Sequence, residues 1–188
     1  ELASWTMDRT PDWELERINR LGMMVLPIGG TLIQRRLIER ILGYGETLSK
    51  SEKIASLFSR IENCKGPVLW MSIRTRNRTA LNQTEALIEI GARFLSAHPS
   101  GSIILDGHSF ADDLETNPGY SPAVQREIVI SDLEVAHAVA KGLGLPIGSH
   151  GRVELAVGLT ISETILLAQH ANFYFCHHGT VQHKIGWF

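Results

Sequence analysis

The chain predicts an α/β fold, a mostly parallel sheet with helices on both faces. Three observations carry that prediction. Short, continuously apolar runs such as Pro67-Val-Leu-Trp-Met-Ser-Ile73 and Ser102-Ile-Ile-Leu-Asp106 suit strands buried on both sides. Stretches with apolar residues at helical spacing separate them. Helix-start and helix-stop residues stand at the joins, so strand and helix alternate as in βαβ units.

Taken in order, Thr10-Pro11 starts a helix that Gly22 ends, and Met23-Met-Val-Leu-Pro27 is a short strand. Gly29-Gly30 turns the chain into a capping box at Thr31-Leu-Ile-Gln34. Ile33, Leu37 and Ile41 then recur at helical spacing until Gly43. Residues 44–66 are more polar and form a connector, with a helical portion around Ile54 to Ile61. Val68 to Ile73 is the next strand. Asn82-Gln-Thr-Glu85 is a capping box for a helix lined by Leu87, Ile90, Phe94 and Leu95, which His98-Pro99-Ser100-Gly101 stops. Ser102 to Asp106 is a strand. Ser121-Pro122 opens a long helix with the stripe Val129, Leu133, Ala136, Ala140 and Leu143, closed by Gly142 and Gly144. A weak strand lies near Leu145-Pro146-Ile147. Thr160-Ile-Ser-Glu163 is a capping box for a helix with Ile161, Ile165 and Ala168 inward. Asn172-Phe-Tyr-Phe-Cys176 is a strand, and Gly179-Thr180 leads into a last helix. Residues 1–66 are thus expected as a partial N-terminal α/β segment and connector, and residues 67–188 as the main α/β domain.

Composition bounds the function. The 188 residues are 44% hydrophobic and 20% charged, with a formal net charge of −2, so general nucleic-acid binding is not expected and any anion site must be local. The apolar runs are far shorter than the ~20 residues that span a bilayer. Cys64 and Cys176 lack CxxC spacing, which favours a reducing compartment, the cytoplasm. The chain opens on Glu1 rather than methionine and ends as a helix begins, so it is expected to be a piece of a longer protein.

Ligands of an open parallel sheet bind beyond the carboxyl ends of its strands. The expected ends are Arg74 to Arg78, Asp106-Gly-His-Ser109, Ser149-His-Gly-Arg152 and His177-His-Gly-Thr180, all of them polar. Arg74, Arg76 and Arg78 deliver cations beside a helix start, a place suited to a phosphate-bearing ligand. Gly179 lets such a ligand approach the backbone, and Thr180 offers a hydroxyl. Ser162 and Glu163 open a helix, where the capping reading competes with contacts to phosphate or ribose. Asp112, in a long acidic loop, competes in the same way between a solvated turn and a base. Asp106 is expected to brace its strand end. Adjacent His177 and His178 point to opposite faces of an extended segment, so no metal site is expected. GxGxxG after the first strand, GxxxxGK[ST] and GxSxG are all missing from the sequence.

The arginine-rich turn, the Ile-Leu-Asp-Gly strand end, and Ser162-Glu-Thr-Ile-Leu-Leu-Ala-Gln-His-Ala-Asn-Phe-Tyr-Phe-Cys-His-His-Gly-Thr180 together resemble one family. It is the nucleotide-sugar-binding, C-terminal half of bacterial GT-B-type glycosyltransferases, with polysaccharide-biosynthesis and fucosyltransferase-like members nearest. The resemblance covers roughly residues 67–188 and departs from the pattern at His177-His178. It implies a Rossmann-like domain that moves a sugar from a nucleoside-diphosphate donor to a hydroxyl of a glycan or small acceptor, with no cofactor. Arg74, Arg76, Arg78, Gly179 and Thr180 would hold the donor diphosphate, and Ser162 and Glu163 the nucleotide or sugar. His108, His177 or Asp112 would serve as base. Segments outside this stretch would carry any peripheral membrane association. The alternative is a non-catalytic Rossmann-like ligand- or protein-binding module.

Overall fold

In the computed structural model the described residues are 20, 35–48, 52–76, 79–112, 121–148 and 152–177. The helices are α1 (Arg35–Leu48), α2 (Glu52–Glu62), α3 (Gln83–Ala97), α4 (Pro122–Gly142) and α5 (Ile161–Ala168). The strands are β1 (Val68–Ser72), β2 (Ser102–Asp106), β3 (Val153–Leu155) and β4 (Phe173–Phe175). All pairings are parallel and the order is β3-β2-β1-β4. Val68 to Ser72 pair in register with Ser102 to Asp106, and Leu69 to Met71 with Phe173 to Phe175. The expected Rossmann-like α/β fold is therefore present. The chain steps outward from β1 to β2 to β3, then returns across β1 to place β4 on its other edge. Strand order reverses at the β1/β4 gap.

The period-2 alternation of β1 and β2 sorts their side chains into two layers. Val68, Trp70 and Ile104 pack with Ile54, Leu57 and Ile61 of α2 and with Leu167 and Ala168 of α5. Leu69, Met71, Ile103, Leu105 and Val153 pack with Leu87 of α3 and Ala136, Val139 and Ala140 of α4. Trp70 and Met71, neighbours in sequence, are both fully buried on opposite faces. The core thus runs across the expected boundary at residue 66, because α2 supplies one of the covering layers.

Several local expectations change. α1 continues past Gly43 to Leu48 instead of ending there. Glycine inside a helix costs about 1 kcal/mol relative to alanine. At Gly45 the reason for it is space, since a Cβ would meet the Leu166 side chain at 3.3 Å where α1 crosses α5. Asn82 does not cap α3: it makes no side-chain cap hydrogen bond, and the next residue, Gln83, turns inward instead. The run Leu145-Pro146-Ile147 is not a strand. Gly144 (φ 67°) donates to Lys141 O at 3.0 Å and Leu145 to Ala140 O at 3.1 Å, a Schellman closure of α4 that uses Leu145 as its apolar partner. The third strand is Val153–Leu155, so Arg152 precedes a strand rather than following one; residues 149–151, expected with it in a carboxyl-end loop, lie outside the described residues. The buried face of α4 is Gln125, Asp132, Ala136, Val139 and Ala140; of the expected stripe Ala136 and Ala140 are buried, Leu143 packs against the same core, and Val129 and Leu133 are half-buried. Ile161 is 42% exposed, whereas Ile165 and Ala168 point inward as expected. The expected elements at Thr10–Gln34, apart from the helical Arg20, and the final helix lie outside the described residues.

Glu154, 1% exposed in the middle of β3, faces the α2 layer. Arg60 of α2 meets it with two parallel bonds, Nε to Oε1 at 2.7 Å and Nη2 to Oε2 at 2.9 Å. The hydrogen bonds that Arg60 donates to Glu154 raise the Arg60 pKa, against the desolvation that opposes it. Removing one partner of a buried pair strands the other charge. Arg60→Ala is expected to destabilise the fold by about 3 kcal/mol, the lower end for such losses because Arg60 is partly exposed. Chemical denaturation would show this as a lower midpoint with an unchanged slope.

Candidate functional site at the strand carboxyl ends

The ladder between β1 and β2 continues one step past the strands, where Ile73 N donates to Asp106 O at 2.6 Å. Beyond that point the β1 chain must find other acceptors. Arg74 N–H donates to Gln83 Oε1 at 2.8 Å, which explains why a glutamine at the start of α3 is buried. The Arg74 side chain folds back over its own turn, with Nε 3.0 Å from Arg76 O. The turn is therefore held at its backbone and its guanidinium, and Arg76 is exposed beside it.

Thr75 binds the next support. Its Oγ1 donates to Asp132 Oδ1 at 2.5 Å, and the other carboxylate oxygen accepts His108 N–H at 2.7 Å. Asp132 is 2% exposed and sits on the buried face of α4. One carboxylate thus joins the loop after β1 to the loop after β2. Gly107 makes room for it, because a Cβ there would lie 2.8 Å from Asp132 Oδ2. The His108 ring stands edge-on to Phe110, with centroids 5.9 Å apart.

The loop after β2 then runs along the start of α5. Phe110 pairs with Thr160 as an isolated parallel bridge, through Phe110 N to Leu159 O and Ile161 N to Phe110 O. Ser109 and Thr164 share a hydroxyl hydrogen bond of 2.9 Å. Thr160 and Glu163 form the complete capping box expected of them. Asp112 takes the remaining α5 donors, accepting Ser162 N–H at 3.2 Å and Ser162 Oγ–H at 2.7 Å. Asp112, Ser162 and Glu163 therefore gather at one helix start. Each has a hydrogen-bonding role there that needs no ligand.

At the β1/β4 gap, His177 faces the last residue of β1. Its backbone N–H donates to Ser72 Oγ at 2.9 Å, and its ring Nδ1 lies 3.1 Å from the same oxygen. Burial lowers the His177 pKa below its ordinary 6.5, and the positive charge of Arg74 lowers it further. Arg74, 103 positions away by its numbering, thus bears on His177 across the reversal point. Arg78, Gly179 and Thr180 lie outside the described residues. Among the described residues, no group of three or more His, Cys, Asp or Glu is placed to hold a metal ion.

Sequence reasoning overlooked Ser72, Thr75, Gln83, Asp132 and Thr164. One signal was available for Asp132. It precedes Ala136, Val139 and Ala140 by four, seven and eight positions, so an acid shares the stripe of three apolar residues.

The fold and these loops define a Rossmann-like α/β protein whose polar loops meet where its strand order reverses. No family model matches the chain, and no curated protein matches it. Among solved structures it is similar to an S. aureus MnaA–UDP co-structure, at 19% identity and a TM-score of 0.41, over 71% of this chain and 27% of that one. The chain spans little more than a quarter of that protein's length.

A histidine whose folded pKa is depressed binds fewer protons in the folded state than in the unfolded state, between the depressed value and 6.5. Stability is therefore full above about pH 6.5 and declines as pH falls toward the lowered value. Melting temperatures followed from pH 7.5 to pH 5 should fall less steeply in His177→Gln than in the unsubstituted protein.

Proposed function

We propose that this domain binds a nucleoside-diphosphate sugar in the crevice between the carboxyl ends of β1 and β4, and that it is the donor-binding half of a glycosyltransferase. One observation carries the reading: Arg74 after β1 and His177 after β4 lie close enough for the guanidinium to perturb the imidazole, at the point where an open parallel sheet takes ligands. Arg74, Arg76 and Arg78 neutralise the diphosphate, and Gly179 and Thr180 approach it from the β4 side. Ser162 and Glu163 stand near the nucleotide or sugar, reached once Asp112 gives up the Ser162 hydroxyl.

Glycosyl transfer develops charge on the departing diphosphate, and positioned cations stabilise it as it grows. The acceptor hydroxyl loses its proton to His108, His177 or Asp112. The reaction draws on no bound cofactor. Among the described residues no helix is long and apolar enough to cross a membrane. A cytoplasmic site of action, with any membrane contact made by other segments, fits the two thiols at Cys64 and Cys176.

A non-catalytic binding module is the second reading. It is favoured by the commitment of Asp112 to the α5 start, which removes one base from play.

Saturating UDP, GDP or ADP is expected to raise the melting temperature. Ligand at about 100 times its Kd adds about 2.7 kcal/mol, or roughly 5–10 °C for a chain of this size. Arg74→Ala should weaken that nucleotide by about tenfold or more. A flat response to all three nucleotides would remove the donor reading. Nucleotide binding without transfer from any sugar donor, in protein carrying its natural flanking sequence, would leave the binding module.

A further inference from the structure

Ser72 is completely buried, so its hydroxyl proton needs a protein acceptor. Its oxygen already accepts the His177 backbone N–H, a group that can only donate. Among the described residues, the remaining hydrogen-bonding atom in reach is His177 Nδ1, at 3.1 Å. If Nδ1 carried a proton, both His177 groups would donate to Ser72 and the serine hydrogen would point at nothing. Nδ1 is therefore the acceptor, and the neutral ring keeps its proton on Nε2. That nitrogen lies across the ring from Ser72, and the His177 side chain is only partly buried. The neutral form is the favoured one, because the partly buried ring sits beside Arg74.

We propose that His177 is a neutral hydrogen-bond donor whose Nε2–H contacts an anionic oxygen of the nucleoside diphosphate, and that Ser72 is the positioning residue that fixes this tautomer. The inference rests on the donor-binding reading of the crevice. It also narrows that reading, since a nitrogen that already holds its proton is not the base that deprotonates the acceptor. The hydroxyl proton then goes to His108 or to an acid. Neutrality suits the position, because a second full positive charge beside Arg74 would be held there only against repulsion.

Nitrogen-15 NMR of the intact, histidine-labelled protein reads the tautomer directly, with the His177 signals identified by their loss in His177→Gln. Unsubstituted protein is expected to show the Nε2–H form, and Ser72→Ala a mixture of both forms. UDP, GDP and ADP are then titrated, and the nucleotide that binds should shift the His177 Nε2 resonance. A glutamine amide nitrogen reaches the position of Nε2, whereas that of asparagine reaches only Nδ1. His177→Gln should therefore keep affinity within about threefold, and His177→Asn should lose about tenfold, the size of one hydrogen bond to a charged group. An Nδ1–H tautomer in the unsubstituted protein overturns the proposal, and so does equal affinity in both variants. Absence of binding by all three nucleotides, with the Nε2–H form observed, overturns the donor reading and the ligand contact together but leaves the Ser72 assignment standing.

Discussion

Enclosure of β1 is the constraint on which the rest of the structure depends. The strand has a parallel neighbour on each edge and helices on each face, and all five of its residues are buried. Its side chains are apolar except for the buried indole N–H of Trp70 and the hydroxyl of Ser72 at the last position. The chain leaves this enclosure at Ile73, and its next polar groups must be met at once. Asp106 O, Gln83 Oε1 and Asp132 Oδ1 meet Ile73, Arg74 and Thr75 in turn. The polar character of the crevice follows directly from the apolar character of the strand beneath it.

The loops above the sheet are joined to one another by side chains rather than by a shared apolar core. Asp132 binds the loops after β1 and β2, and Ser109 and Asp112 bind the loop after β2 to α5. A buried carboxylate is costly unless it is hydrogen-bonded, and Asp132 has a donor on each oxygen. Arg74 is held by a similar logic, with its backbone and its guanidinium each anchored. Side chains fixed in this way have already lost much of their conformational freedom.

Much of this was legible from sequence, and most of the exceptions share a cause. β1 and β2 were readable because burial on both faces makes a strand uniformly apolar. β3 was not, because three residues with Glu154 at their centre resemble a charged loop more than a core strand. The apolar run at Leu145 looked like a strand, yet it serves a helix terminus. The α4 stripe was legible only in part, because Gln125 and Asp132, both polar, also belong to its buried side. In the crevice, Arg74 and His177 stood out as ionisable groups directly after apolar runs. Ser72 and Asp132 did not, since a serine ending a strand or an acid within a helix has many ordinary explanations. Apart from the run at Leu145, burial of polar residues was the missing knowledge, and composition alone does not reveal it.

The Arg60–Glu154 pair has a consequence beyond its contribution to stability. Successive residues of a strand point to opposite sides, so a slip of β3 by one position against β2 would turn Glu154 away from its guanidinium and into the layer of Leu87, Ala136 and Val139. An unpaired carboxylate in that layer would be prohibitive. Three residues make a strand too short for hydrophobic pattern alone to lock, and the single charge in its middle acts as a key that admits one alignment. The outer edge of the sheet, and with it the approach of the chain to α5, is thereby set by electrostatics as well as by the packing of Val153.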